Sequence, residues 1–316
     1  MPAPPPAPLR IVSLLPAATE LVHALGLGDA LVGRSHECDW PEAARALPVC
    51  TRSLVADGPG AAIDADVRRR IETGEPLFEI DAERVRALAP THLLTQAQCD
   101  VCAVGTEQVD ALLAAGWPGA PPAVVCLAPK TLGDVFAELQ MLGRALGAAD
   151  AGRAAATGLA DRVSQVGEKT GARRPRPKVL CLEWLDPPIA AGNWMPELVR
   201  VAGGEPLFGR VGHPSVDVTW AEITEADPDF VVLMPCGFDL ERTLEEARGL
   251  EEVPAWWALR AVREGSVAAV DADAYFNRPG PRIVDSLELL AEILWPADFD
   301  FGLGDRAARL SSAPDG

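Results

Sequence analysis

Four of the seven cysteines of this 316-residue chain fall in loops that are predicted to follow β-strands. These four are Cys38, Cys99, Cys102 and Cys236. Cys99 and Cys102 form a C-x-x-C pair, which alone is a weak indication of metal or redox chemistry. Four thiolates would suit Zn or an iron–sulfur cluster. The other interpretation open at this point is that these are small residues that only pack.

The same predicted loops carry aromatic, polar and small residues that could contact an extended ligand. The candidates are Pro16, Ala17, His36, Glu37, Trp40, Gln96, Gln98, Trp184, Trp194, His213, Tyr275, Phe276 and Arg278. Large aromatic rings on loops suit a broad, flat and partly apolar ligand. The competing interpretation is that the rings pack between elements, that His213 is a surface residue and that Arg278 stabilises its own turn.

The elements that must position these residues alternate between strand and helix in both halves of the chain. Short apolar runs such as 9–15, 178–184 and 230–235 predict strands, and amphipathic segments between such runs predict helices. The pattern predicts an α/β protein with mostly parallel sheets. The stretch 53–74 is rich in Gly and Asp and is interpreted as irregular. Ligands of open α/β sheets bind beyond the carboxyl ends of the strands, where the candidate residues lie.

A helical stretch from Leu132 to Thr170 separates the two halves. Apolar residues recur along it at steps of three and four, as on the buried face of a helix. We therefore predict a disordered lead over 1–8, an N-terminal lobe over 9–131, linking helices over 132–172, a C-terminal lobe over 173–297 and a tail over 298–316. One large α/β domain is the alternative.

Composition and motifs exclude several classes of function. The net charge of −18 argues against nucleic acid, whose phosphates need clustered Lys and Arg. No apolar run is long enough to cross a bilayer, so membrane insertion is not expected. The N-terminus has no secretory signal, which favours the cytoplasm; a periplasmic or extracellular protein whose signal was removed is the alternative. Motifs for a catalytic Ser, a P-loop, a zinc protease or a dinucleotide are missing, so we do not expect an enzyme.

Five segments of the chain resemble one protein family. They are IVSLLPAATELVHALGLGDALVGRSHECDWP, IDAERVRALAPTHLL, the central helical stretch, EWLDPPIAAGNWMPELVRVAGGEPLF and AVDADAYFNRPGPRIVDSLELLAEIL. The chain is similar to the class III periplasmic binding proteins, and more to the vitamin B12 branch than to the siderophore branch. The resemblance implies two Rossmann-like lobes joined by a long backbone helix, with a corrinoid as the ligand. A thiolate of the loop cysteines or His36 could then be the lower axial ligand of its cobalt ion, which is a third interpretation of these residues.

The resemblance also implies a docking mode and a function. One carboxylate on each lobe would meet arginines of an ABC importer's membrane subunits. Glu83 matches the first position, whereas the second aligns with Ala221 and has Glu222 as its neighbour. The leading hypothesis is a cobalamin-binding protein that serves uptake or handover inside the cell. A redox enzyme that uses the four loop cysteines, and a binder of haem or an iron-siderophore, are the alternatives.

Overall fold

The computed structural model describes residues 8–97 and 104–310, which form two compact units. Unit 1 contains the described residues up to Asp57, those of Asp66–Pro129, and Phe136–Thr157. Unit 2 contains Gly58–Ala65, Lys130–Val135 and the described residues from Gly158 onward.

Unit 1 is built on a parallel sheet of four strands in the order β2-β1-β5-β6. Its strands are β1 (Ile11–Ser13), β2 (Leu31–Arg34), β5 (His92–Gln96) and β6 (Ala123–Leu127), and β3 (Thr51–Ser53) pairs antiparallel with β4 (Phe78–Ile80). All three residues of β1 are fully buried, as expected of a central strand of a parallel sheet. The parallel order brings the carboxyl ends of β1, β2 and β5 to one edge.

Six α-helices begin before residue 158 in the part of the chain that the structure describes. They are α1 (Pro16–Ala24), α2 (Gly60–Thr73), α3 (Ala82–Ala87), α4 (Thr106–Ala114), α5 (Leu132–Ala145) and α6 (Ala149–Thr170). The pair α5 and α6 confirms the helical stretch that the apolar spacing predicted. The two helices come close together at Gly143 and Gly152. A Cβ atom added to Gly143 would lie only 3.1 Å from the Cα of Gly152, so the absence of a side chain permits this close approach.

Helix α2 corrects the prediction that residues 53–74 are irregular. Its 14 residues are mostly polar, so the segment lacks the apolar pattern from which the other helices were inferred. Asp66 instead forms ion pairs with Arg69 and Arg70, at the spacings that place side chains on one face of a helix. The spacing of Ile63, Val67 and Ile71 was the weak apolar signal that the prediction missed.

Unit 2 contains a mixed sheet of seven strands in the order β10-β8-β7-β11-β12-β13, with β9 also paired to β7. The strands are β7 (Lys178–Leu185), β8 (Pro188–Ala190), β9 (Glu205–Pro206), β10 (Val216–Asp217), β11 (Phe230–Leu233), β12 (Val267–Val270) and β13 (Ala307–Arg309). The neighbours β7, β11 and β12 are parallel, which brings their carboxyl ends together. Strand β8 returns antiparallel to β7 within a segment that the sequence had indicated as a loop.

The remaining helices belong to unit 2. They are α7 (Met195–Val201), α8 (Trp220–Ala226), α9 (Leu240–Ala247), α10 (Pro254–Ala258), α11 (Arg260–Arg263) and α12 (Ile283–Leu294). Arg162 of α6 binds carboxylates of Asp285 and Glu288 on α12, so the C-terminal part of α6 is anchored in this unit. None of the helices within 8–97 and 104–310 is long and apolar enough to cross a membrane.

Candidate functional site

The N-terminal strand-end surface comprises the residues that follow β1, β2 and β5 in unit 1. Cys38, in the loop after β2, is fully buried, and its Sγ accepts a hydrogen bond of 3.0 Å from the hydroxyl of Thr19. A thiol so enclosed is a packing residue of unit 1 in this conformation.

His36 lies in the same loop and is held by Thr51. The Thr51 Oγ1 accepts from the backbone N–H of His36 at 3.0 Å and lies 2.7 Å from the ring Nδ1. The Nε2 atom is buried and lies 3.8 Å from a carboxylate oxygen of Glu37. Burial, and secondarily the charge of Arg34, lowers the pKa of His36, so the ring is neutral at pH 7. Because Nε2 has no open side, it is not available to a metal ion in this conformation.

The other candidates on this surface differ in exposure. Ala17 and Gln96 are buried, whereas Pro16 is partly exposed. Trp40 is 50% exposed and gives the N-terminal strand-end surface a large open aromatic ring. Gln98, Cys99 and Cys102 lie outside the described residues.

The predicted four-cysteine metal site finds no support within residues 8–97 and 104–310. No group of three or more His, Cys, Asp or Glu side chains there is arranged to hold a metal ion. Of the two predicted thiol ligands in these ranges, Cys38 is buried in unit 1, and Cys236 is exposed in unit 2.

The C-terminal strand-end surface comprises the residues at and beyond the carboxyl ends of β7, β11 and β12 in unit 2. Trp184, near the end of β7, packs against Phe238, which follows β11, with ring centroids 5.4 Å apart. The guanidinium of Arg242, on the first turn of α9, lies 4.7 Å from the centre of the Phe238 ring. Asp239 caps that turn by accepting from the backbone N–H of Arg242 at 2.8 Å. The result is an aromatic pair with a cation at its side.

Glu183 brings a buried carboxyl group to this surface. Burial raises the pKa of Glu183 to about 7, and a hydrogen bond with Ser215 opposes the rise. The hydroxyl oxygen of Ser215 also accepts from the N–H of Gly192 at 2.9 Å. The carbonyl of Glu183 accepts from the N–H of Cys236 at 3.0 Å, which joins the ends of β7 and β11. The carboxyl group can thus change its charge near neutral pH.

Four further candidates of this unit are buried and make internal contacts. The indole N–H of Trp194 donates to the carbonyl of Phe276 at 3.0 Å, and both side chains are at most 5% exposed. Tyr275 is 8% exposed and lies within cation–π distance of Arg282. Arg278 donates to a carboxylate oxygen of Asp273 at 2.6 Å. These contacts are of the kind that the packing interpretation predicts, and His213 is exposed, as its interpretation as a surface residue predicts. The roles of these residues toward a ligand stay predictions.

Sequence reasoning missed Phe238, Arg242 and Ser215 as part of this surface. A signal for the first two was available, because an aromatic residue and an Arg four positions apart flank the Asp cap of α9. Ser215 carried no such signal, since its contact with Glu183 depends on how the segment after α7 returns to the sheet.

Comparison with known proteins shows the class of protein to which this fold belongs. A family model described as "Periplasmic binding protein" matches residues 11–274. The chain therefore belongs to the periplasmic binding protein family, which supplies substrate-binding proteins to ABC importers, and its fold is that of class III of this family. The predicted fold class, two α/β lobes and a long joining helix, is confirmed.

Two curated relatives align over most of their length. The chain is 24% identical over 300 residues to an uncharacterized ABC transporter substrate-binding lipoprotein, YvrC of Bacillus subtilis, covering 92% of this chain and 82% of the relative. It is 26% identical over 288 residues to the vitamin B12-binding protein of Yersinia pestis, covering 90% of this chain and 85% of the relative.

Solved structures share the fold. A periplasmic heme binding protein from Pseudomonas aeruginosa superposes with a TM-score of 0.68 at 21% identity, covering 96% of each chain. The periplasmic vitamin B12 binding protein BtuF of Vibrio cholerae gives a TM-score of 0.64 at 22% identity, covering 90% of this chain and 96% of that one. At sequence identities this low, the structural similarity shows a shared fold and nothing about the ligand.

Family membership decides two predictions. The expectation of a binding protein rather than an enzyme is confirmed, and nothing supports the redox enzyme. The prediction of a cytoplasmic protein is wrong, because the family and the relatives are periplasmic proteins or extracytoplasmic lipoproteins. That prediction rested on the absence of a recognisable signal in the given sequence.

Proposed function

We propose that this protein binds cobalamin or a related corrinoid outside the cytoplasm and delivers it to an ABC importer. The observation that carries the proposal is the similarity to a vitamin B12-binding protein over 90% of the chain. Trp184 and Phe238 supply apolar ring surface for a flat macrocycle on the C-terminal strand-end surface, and Trp40 supplies it in unit 1.

Haem is the second candidate, because His213 offers an exposed imidazole and haem iron takes an axial ligand from the protein. Corrinoid remains the better fit to the described residues. The single Tyr of the chain, Tyr275, is buried, and the Nε2 of His36 is enclosed. A corrinoid needs no protein ligand, since its cobalt can keep an axial base of its own.

Titration of the purified protein with hydroxocobalamin and, separately, with hemin tests the proposal. We expect a stoichiometric complex with the corrinoid that survives gel filtration and quenches tryptophan fluorescence. Retention of hemin instead, lost in His213→Ala, would support the second candidate. If neither compound is retained, the assignment to tetrapyrrole-like ligands fails.

Docking to the importer is proposed to use the exposed carboxylate of Glu83 on α3. Glu222 is a weaker docking candidate, because its Oε2 accepts from the N–H and the hydroxyl of Thr219 in a capping box at the start of α8. Glu83→Ala is expected to reduce corrinoid uptake by whole cells while leaving binding in solution unchanged. Equal losses of uptake and binding would mean that Glu83 does not act at the importer.

A further inference from the structure

A short piece of the N-terminal half of the chain packs within unit 2. Residues Gly58–Ala65 belong to this unit, whereas the described residues just before and after them belong to unit 1. We call residues 58–60 the 58–60 strap. It ends where α2 begins, at Gly60, and the chain therefore enters and leaves unit 2 within eight residues.

Two oppositely charged side chains of α9 hold the backbone of the strap. A carboxylate oxygen of Glu246 accepts from the N–H of Gly60 at 2.8 Å, and the guanidinium of Arg242 donates to the carbonyl of Gly58. Gly60 is the first residue of α2, whose first N–H groups have no partner within the helix. A carboxylate at that end also meets the positive pole of the helix. Glu246 thus caps α2 from another element.

The strap lies against the aromatic pair of the C-terminal strand-end surface. Gly60 is buried, and a Cβ there would overlap the carboxylate of Glu246 and lie 3.6 Å from Cζ2 of Trp184. Arg242, which holds Gly58, also lies over the ring of Phe238. The strap therefore lies over part of the half-buried Trp184 ring, and its anchor Arg242 lies over Phe238.

We propose that the 58–60 strap is a gate, which covers part of the Trp184 ring in the free protein and exposes more of it when the strap leaves Arg242 and Glu246. This inference rests on the function proposed above. The strap has the sequence Gly58-Pro59-Gly60, and the ring of Pro59 is exposed. Its two anchored groups are backbone atoms of the glycines, and water can replace both hydrogen bonds on release. The contact therefore suits reversible opening, and ligand association would be limited by the fraction of protein in which the strap is released.

The test compares Glu246→Ala with Glu245→Ala, which removes an exposed carboxylate from the same turn of α9. Hydroxyl-radical footprinting of the ligand-free proteins, read by mass spectrometry, reports the exposure of Trp184 directly. Stopped-flow mixing with hydroxocobalamin reports the association rate. For Glu246→Ala we expect severalfold greater oxidation of Trp184 and an association rate that is about tenfold higher. Glu245→Ala should match the wild type in both.

Each outcome bears on the gate or on the ligand. Unchanged oxidation of Trp184 in both Glu246→Ala and Gly60→Ala would refute the claim that the strap covers Trp184, whether or not the protein binds a corrinoid. Greater oxidation with an unchanged association rate would overturn the gating role. Greater oxidation together with no corrinoid retained by any of the proteins would support the strap and refute the proposed ligand.

Discussion

The two strand-end surfaces have the same origin in parallel α/β sheets but use their side chains differently. In unit 1, Cys38 and His36 are tied to Thr19 and Thr51, and Trp40 is left half-exposed. In unit 2, the 58–60 strap lies against Trp184 of the aromatic pair, and the preceding residue of β7, Glu183, has a carboxyl group with a raised pKa. Similar topology thus gives one surface whose Trp40 ring is half-exposed and one whose Trp184 ring is partly covered by backbone of the same unit.

The substitution with the largest expected effect tests where the ligand gains most of its binding energy. Trp184→Ala should weaken corrinoid binding by about 100-fold, or about 2.7 kcal/mol, because a large ring that becomes desolvated on binding is a typical hot spot. Trp40→Ala should cost only about tenfold, since a ring that stays partly hydrated contributes less. Isothermal titration calorimetry measures both.

Trp257→Ala is the matched control for these two variants. Trp257 belongs to α10, and its indole N–H donates to the carbonyl of Glu251. We expect its removal to leave corrinoid affinity unchanged. A larger loss for Trp40→Ala than for Trp184→Ala would reverse the comparison between the surfaces.

The second-largest expected effect is the pH dependence of the free energy of unfolding that Glu183 causes. Its pKa is about 7 in the folded chain and near 4.5 when unfolded, so the folded state binds more protons between these values. Stability should fall as the pH rises from about 4.5 to above 7. The difference between these two pKa values corresponds to at most about 3 to 4 kcal/mol. We expect about 2 kcal/mol, because the residue as a whole is half-buried although its carboxyl group is enclosed.

Glu183→Gln should remove most of this slope. Urea unfolding at pH 5 and pH 8 measures the difference, with Glu245→Gln as a carboxylate control from the exposed face of α9. If Glu183→Gln and the wild type lose stability in parallel between the two pH values, Glu183 is not the titrating group.

The smallest effect is the opposite pH slope expected from His36 on the other surface. Burial holds its pKa below 6.5, so the unfolded chain binds the extra proton. The free energy of unfolding should therefore be unaffected by the titration of His36 above pH 6.5 and should fall as the pH drops below that value. His36→Gln should flatten the acidic side of the stability profile, and a steeper decline in the variant would contradict this account.

Much of the fold was predictable because its signals are local. Apolar runs such as Ile11–Ser13 and the spacing along Leu132–Ala145 indicated strands and helices that the structure contains. The prediction failed at α2, whose polar residues are stabilised by ion pairs rather than by an apolar face. It also missed β8, since three residues between prolines and glycines carry little pattern of their own.

The sequence predicted where a candidate site would lie, but it did not predict which of the candidate side chains are exposed. The rule that ligands bind beyond strand ends pointed to Trp184 and the loop of Cys236. It could not separate exposed rings such as Trp40 from buried ones such as Trp194 and Phe276, because exposure depends on neighbours that are distant in sequence.

The sequence by itself determined the alternation of strands and helices and the long helical stretch, because both follow from the spacing of apolar residues. It also determined the family, because several segments match family members. Only the tertiary structure decided which of the candidate side chains are enclosed and that the backbone of Gly58 and Gly60 meets Arg242 and Glu246. The last contact joins residues that are 186 positions apart, through backbone groups that every residue other than proline possesses. Such a contact leaves no periodicity in the sequence, and therefore it emerges only when the chain has folded.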